Sequence, residues 1–109
     1  MLYGVTQHFP KKDRYTLGQK SEQLTLQILE LLFVANSAQT AERLNVQKEI
    51  DLKLKILKTI IRASFDVHAI DQKRYLQLEA ALYEIGRMLG GWIKTTKETH
   101  TYKQENPAT

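Results

Sequence analysis

Apolar residues recur every three or four positions along most of the chain, which is the spacing of amphipathic α-helices. The pattern predicts one helix over 16–39, a second over 41–67 and a C-terminal helix that Asp71 is suited to N-cap. The expected core stripes are Leu17, Leu24, Ile28, Leu31 and Ala35, then Ile50, Leu54, Leu57, Ile61 and Phe65, and finally Tyr75, Leu78, Leu82, Ile85, Leu89 and either Trp92 or Ile93.

The helix over 16–39 is apolar over more than one face. Leu26, Leu29, Leu32 and Phe33 widen its stripe beyond the width that a surface helix needs. Two interpretations follow: the helix is central in its own bundle, or its second apolar face meets another subunit.

Both ends of the chain depart from this pattern. Residues 1–8 are too few for a stable helix by themselves, and we expect them to be the last turns of a shortened first helix. The segment 9–15 is predicted to be a loop, because Pro10 disfavours helical conformation at the residue before it. A helical domain is expected over 1–98, followed by a polar, disordered tail over 99–109.

Three glycines and the single tryptophan fall within one short run of the C-terminal helix, over 84–94. A glycine inside a helix costs about 1 kcal/mol relative to alanine, so these positions need another explanation. Gly86 and Gly90 are four residues apart and share a face, and Trp92 adds a large apolar anchor beside them. We expect either close helix packing within the chain or a subunit interface.

The composition is that of a single globular domain. The chain has 109 residues, of which 42% are hydrophobic and 26% charged, and it contains no cysteine. It lacks an apolar leader and an apolar run long enough to span a membrane, so we expect a cytoplasmic protein. The formal net charge is +4, which permits a polyanionic partner without requiring one.

Part of this positive charge is arranged along the helix over 41–67. Lys48, Lys55 and Arg62 are spaced by seven residues, and Lys58 falls on the same side. A row of cations is commonly only a solvated helix face, and the alternative is a surface that contacts phosphates or an acidic partner.

The sequence contains no clear catalytic or metal-binding arrangement, and we expect no cofactor. His8, His68 and His100 are isolated from one another, and no phosphate-binding glycine loop is present. One pair resembles the Arg-x(4–6)-His motif of the HEPN ribonucleases, in which arginine and histidine cleave RNA at a dimer interface: Arg62 and His68. The polar residue that usually follows the arginine in that motif is Ala63 here. A second alternative is a generic structural helical bundle.

A more extensive resemblance covers most of the chain. The Phe9-Pro10-Lys11 turn, the apolar and basic helices, His68-Ala69-Ile70 and, above all, the string from Glu84 to Ile93 resemble the accessory variability determinant (Avd) proteins. These accompany the reverse transcriptases of diversity-generating retroelements in prokaryotes and phages, within a four-helix-bundle family that includes proteins encoded in 23S rRNA intervening sequences.

This resemblance implies an all-α, up-down four-helix bundle that assembles into a homopentameric barrel and has no catalytic activity of its own. It implies binding to the reverse transcriptase and to structured RNA or RNA/DNA, in support of mutagenic cDNA synthesis. Lys58 and Arg62 match the family's cationic pair, and Arg87 matches the arginine of its most specific string. Helical spacing alone adds Lys55 and Lys94 to these candidate binding residues. The candidate interface residues are Gly86, Gly90 and Trp92.

Overall fold

The protein is all-α over the residues that its computed structural model describes, 11–105, with side chains described from residue 16 onward. It forms three helices: α1 (Lys11–Ser37), α2 (Thr40–Asp66) and α3 (Gln72–Glu105). The prediction of an all-helical fold is confirmed. The expected turns of a shortened first helix, over 1–8, lie outside the described residues, and neither a four-helix bundle nor a pentamer is tested by this chain alone.

Two predicted boundaries are wrong. Helix α1 begins at Lys11, so 11–15 are helical and not part of a loop. A proline is tolerated at the start of a helix, which is why position 10 does not prevent a helix from beginning directly after it. Helix α3 continues to Glu105, so 99–105 are helical and not a disordered tail. Lys103 Nζ donates to Thr40 Oγ1 at 2.9 Å, which ties this extension to the start of α2.

Helix α2 lies between the other two and packs against both. No Cα atom of α1 comes within 8 Å of one in α3, so the three helices form a layer that is open on one side between α1 and α3. The layer measures 65 × 22 × 15 Å. Among the three described helices, α1 therefore lies at the edge of the layer and not at its centre. Its second apolar stripe is exposed, with Leu26 at 60% and Phe33 at 70%.

The core is centred on α2, as its apolar periodicity predicts. Its buried apolar residues are Ile50, Leu54, Leu57 and Ile61, joined by Leu24, Ile28 and Ala35 from α1 and by Leu82 and Leu89 from α3. Tyr75, Leu78 and Trp92 are half-buried against this core. Ile85 was expected in the core and is 41% exposed, because it faces the open side of the layer where no α1 side chain covers it.

The connection between α2 and α3 is short and well capped. Asp71 accepts a hydrogen bond from the Arg74 amide at 2.8 Å, which confirms it as the N-cap of α3. At the end of α2, His68 has a φ of 61°, and the Ala69 amide donates to the Ser64 carbonyl at 2.8 Å. This is the Schellman arrangement, with His68 at the left-handed position that glycine usually occupies.

Arg43, in the first turn of α2, caps the C-terminal end of α1 across the loop that joins the two helices. Its guanidinium donates to the carbonyl oxygens of Ala35 at 2.8 Å and of Asn36 and Ala38 at 3.2 Å each. The Ala35 carbonyl also accepts from the Ala38 amide at 3.3 Å, and the arginine adds a partner to carbonyls at a helix end, where the intrahelical hydrogen bonds run out. The contact also fixes the angle between α1 and α2.

None of the helices described over 11–105 combines the length and the hydropathy that a membrane crossing requires.

Candidate nucleic-acid and partner interface

The register between α2 and α3 is set by contacts at two levels of the layer. The rings of Phe65 and Tyr75 stack with centroids 4.4 Å apart. Further along, a Cβ atom on Gly86 would stand 3.7 Å from Leu54 Cδ2 and 3.5 Å from Lys58 Nζ. Because the helices are antiparallel, this register brings residues near 55 on α2 level with residues near 87 on α3.

All five predicted cations lie along this pair of helices, and we call them the basic face: Lys55, Lys58, Arg62, Arg87 and Lys94. Four of them are exposed, whereas Lys58 is half-buried between the helices. None of the five lines the open side between α1 and α3. The packing register of α2 and α3 therefore brings together two rows of positively charged residues, one on each helix.

Three of these cations carry carboxylate partners on their own helices. Lys55 Nζ lies 2.9 Å from Asp51, Arg62 Nε lies 3.1 Å from Asp66, and Arg87 pairs with Glu84. The pairs are solvent-exposed, where an ion pair contributes at most about 1 kcal/mol. A polyanion can therefore compete for these cations, but it has to displace a carboxylate first.

The local environment keeps both arginines fully charged. The pKa of Arg62 is raised by hydrogen bonding to Tyr75 and then by Asp66, and its guanidinium carbon lies 5.9 Å from the centroid of the Tyr75 ring. The pKa of Arg87 is raised by its hydrogen bonds to Glu84. Arginine is already protonated at physiological pH, and both interactions favour the charged form further.

Lys58 and Lys94 differ from the other three. Within the side chains described over 16–105, neither lysine has a carboxylate within ion-pair distance. Their charge is therefore not compensated locally, which makes them the positions on the basic face where an external anion gains most. Lys58 has no acidic residue three or four positions away on α2. Lys94 has Glu98 four positions after it, but the two side chains form no ion pair.

One cation that belongs with this set was left out of the candidate binding residues. Lys48 is exposed on α2, seven residues before Lys55, and the register brings it level with Lys94. Its spacing was visible in the sequence, but its proximity to Lys94 depends on how the two helices pack. Adding Lys48 extends the basic face along α2, toward the C-terminal end of α3.

The glycine-tryptophan run over 84–94 makes fewer close contacts with the rest of the described chain than its three glycines suggest. Among the described residues, a Cβ atom on Gly90 or Gly91 would meet nothing within 4 Å, and one on Gly86 would make only ordinary van der Waals contacts. Close helix packing within the chain therefore does not explain the glycines at 90 and 91. The other interpretation, a subunit interface that includes Gly86, Gly90 and Trp92, stays a prediction.

Arg62 and His68 have different structural roles near the C-terminus of α2. Arg62 is held by Asp66 and Tyr75, and His68 forms the left-handed turn that ends the helix. Cleavage of RNA by such a pair requires a second subunit, so this alternative stays untested. No group of three or more potential metal ligands occurs within the described part of the chain.

Comparison with known protein families supports the resemblance seen in the sequence. A family model described as bAvd-like matches residues 1–96, which is most of the chain. No curated protein and no solved structure matches it.

Proposed function

The chain belongs to the bAvd-like family, and on that premise we propose that it is an accessory protein of a diversity-generating retroelement that binds the reverse transcriptase and the template RNA. In this proposal it contributes no chemistry of its own. It holds enzyme and RNA together in the cytoplasm and thereby supports mutagenic cDNA synthesis. Family membership supports the accessory role, and the binding residues are inferred from the geometry of α2 and α3.

The observation that carries the proposal is the basic face with its two uncompensated lysines, Lys58 and Lys94. Contacts between lysine or arginine and phosphates release counterions from the nucleic acid, and this supplies affinity that does not depend on sequence. A surface with five cations over two antiparallel helices suits a structured RNA, whose recognition relies on shape and backbone. The same charges suit an acidic surface on the enzyme, so RNA and protein can share this face.

Assembly would strengthen this binding. We propose a homopentamer, in which Gly90 and Trp92 contribute to the contacts between subunits. Gly90 supports this because a Cβ atom there would meet nothing within 4 Å among the described residues, which leaves the helix backbone open to close approach. Five linked copies of the basic face would bind a long RNA with far higher avidity than one copy, because each further contact is intramolecular.

The test is cDNA synthesis by the reverse transcriptase and its template RNA in the presence of charge-reversed variants. We expect Lys58→Glu and Lys94→Glu each to reduce the yield of cDNA strongly, since each replaces an uncompensated cation by an anion. Lys20→Glu is the matched control, because Lys20 is an exposed lysine on α1, away from the basic face. It makes the same change in net charge and should leave the yield near that of the wild type.

Light scattering on each variant separates binding from assembly. A native mass near five times 12.6 kDa for wild type and variants alike would show that any loss of cDNA comes from the altered surface. Wild-type yield from Lys58→Glu and Lys94→Glu, with assembly intact, would refute the role of the basic face. Activity of the reverse transcriptase that is independent of this protein would refute the accessory function itself.

A further inference from the structure

Tyr83 is an exposed aromatic residue on the side of α3 that carries the basic face. Its relative exposure is 68%. Its neighbour Leu82 lines the open side between α1 and α3, whereas Tyr83 does not. Tyr83 lies three residues before Gly86, which faces Lys58 of α2. Since residues three apart share a side of a helix, the tyrosine ring lies beside the cations of the basic face.

Cations of both helices surround this ring. On α3, Arg87 and Lys94 follow Tyr83 on the same side of the helix, one and three turns further on. The eleven residues from Tyr83 to Lys94 span about 16 Å along the helix axis. The packing register places Tyr83 level with the stretch of α2 between Lys58 and Arg62. An exposed ring therefore stands at one end of a row of positive charge.

The fold makes no use of the Tyr83 ring. Tyr75, one of the other tyrosines of α3, stacks on Phe65 and lies beneath the guanidinium group of Arg62. Tyr83 has no hydrogen bond, ring contact or cation–π contact to any described residue. A single exposed aromatic residue is ordinary by itself, so it is the surrounding charge that indicates a ligand.

Tyr102 shows that this combination is specific to one part of α3. It is also exposed, at 55%, and it lies about 100° around the helix from Tyr83. The charged residues one turn before and one turn after it are Glu98 and Glu105. A polyanion is repelled by the carboxylates beside Tyr102 and attracted by the cations beside Tyr83.

We propose that Tyr83 stacks on an unpaired base of the RNA whose phosphates lie along the basic face, so that this face selects single-stranded segments over double-helical ones. This inference rests on the RNA binding proposed above and names the kind of segment that is bound. Bases in a duplex stack on one another, whereas unpaired bases are free to stack on an aromatic side chain. The row from Tyr83 to Lys94 corresponds to about five nucleotides at the 3.4 Å spacing of a stacked strand.

The distribution of charge along α3 shows on which side of Tyr83 the strand lies. Glu79 is one turn before the tyrosine, and α3 has no cation between Arg74 and Arg87. Beyond Tyr83, the helix presents Arg87 and then the uncompensated Lys94. The phosphates of the bound strand therefore follow α3 from Tyr83 toward its C-terminal end.

The test compares a single strand with a duplex. The probes are a fluorescently labelled oligouridylate of about 12 nucleotides and an RNA duplex of the same length, and anisotropy measures their binding to the full chain. We expect Tyr83→Ala to weaken oligouridylate binding about five-fold or more, because a stacking contact is lost. Tyr83→Phe keeps the ring and should stay close to the wild type. Neither variant should change duplex binding.

The salt dependence separates stacking from charge. Tyr83→Ala should lower the affinity by the same factor at every salt concentration, because no phosphate contact is lost. Lys94→Gln should instead flatten the dependence of log K on log salt by about 0.7 on the single strand. Tyr102→Ala is the matched control, since it removes an exposed tyrosine from the same helix and should change neither the affinity nor the slope.

Two further measurements check fold and assembly. Circular dichroism should show the same helix content for all variants, which the exposure of Tyr83 and Tyr102 favours. Light scattering should show the same native mass. This second check matters because Tyr83 lies two turns from Gly90, for which a subunit contact is proposed above.

Several results would overturn the proposal. Wild-type affinity of Tyr83→Ala for oligouridylate, while Lys94→Gln weakens it, would refute stacking and leave the proposed function standing. Equal weakening of single strand and duplex would show that Tyr83 does not select an unpaired base. A reduced native mass would place Tyr83 in a subunit contact.

The remaining outcomes concern the partner. Loss of reverse transcriptase binding by Tyr83→Ala, with unchanged RNA affinity, would place the ring against the enzyme and refute the stacking role. A wild-type protein that binds neither RNA probe would refute this inference together with the RNA contact on which it rests.

Discussion

The Nζ atom of Lys58 lies 3.5 Å from the point at which a Cβ atom on Gly86 would stand. This relationship places a candidate binding residue of α2 against the glycine-rich string of α3, with Arg87 next to it in sequence. Because glycine has no side chain, the Lys58 ammonium group can lie close to α3 at this position. The positively charged residues of α2 and the glycine-rich string of α3 thus lie on one surface.

Gly90 gives the sharpest test of an interface. A Cβ atom there would meet nothing within 4 Å among the described residues, so Gly90→Ala should raise the free energy of unfolding by about 1 kcal/mol through helix propensity alone. Gly90→Leu should leave the fold intact and reduce the native mass, because a large side chain separates helix backbones that meet between subunits. Light scattering of the two variants measures this. An unchanged native mass for Gly90→Leu would remove Gly90 from the interface.

His68 is expected to be replaceable by glycine with a gain in stability. Its left-handed backbone costs an L-residue about 1 kcal/mol or more, and glycine avoids that cost. His68→Gly should therefore raise the unfolding free energy by roughly 1 kcal/mol. His100→Gly is the matched control inside α3 and should lower it by a similar amount, which urea denaturation can measure.

The same variant addresses the ribonuclease alternative. If Arg62 and His68 cleave RNA, His68→Gly abolishes cleavage in a protein that is more stable than the wild type, so the loss is not due to unfolding. If the protein is an accessory factor, cDNA synthesis continues with His68→Gly. A destabilised His68→Gly would contradict the role of His68 as the left-handed cap.

The features that were predictable from the sequence depend on short-range periodicity. The Asp71 cap and the α2 stripe around Leu54 follow from spacing within one helix, and the Lys55–Asp51 pair could have been found by the i,i+4 rule. The edge position of α1 was not predictable, because periodicity shows that a face is apolar but not what covers it. The contact of Lys58 with α3 likewise depends on the register between two helices, which no local pattern specifies.

Arg43 was missed because its partners lie across a loop, five to eight residues earlier in the sequence. Its three hydrogen bonds to carbonyls at the end of α1 are charge-assisted, so we expect Arg43→Ala to cost about 1.5–3 kcal/mol of unfolding free energy. Arg43→Lys should lose part of this free energy, because lysine lacks the planar guanidinium group that donates several hydrogen bonds at once. Arg74→Ala, at an exposed arginine in the first turns of α3, should be close to neutral. Equal losses from Arg43→Ala and Arg74→Ala would contradict the capping role.

Gln47 is a polar residue in the core, and an apolar residue of similar shape would make the folded protein more stable. It is fully buried, and its side-chain amide has no hydrogen-bond partner within the described residues. Replacing it with methionine keeps a similar shape and removes the desolvation cost, so Gln47→Met should gain about 1 kcal/mol. For a domain of this size that corresponds to a rise of about 4–8 °C in Tm. A drop in Tm would show that the amide is satisfied by an internal water.

The difference between paired and uncompensated cations predicts unequal effects on RNA binding. Lys94→Gln should weaken RNA binding more than Lys55→Gln. Lys94 has no ion pair to break before it binds a phosphate, whereas Lys55 must first break its ion pair with Asp51. The dependence of log K on log salt should flatten by about 0.7–0.9 for each phosphate contact that is lost. Asp51→Asn should have the opposite sign and tighten binding, because it frees Lys55. Filter binding to the template RNA at several salt concentrations measures all three variants. Identical slopes for Lys94→Gln and the wild type would place Lys94 outside the RNA contact and leave protein binding as its only proposed role.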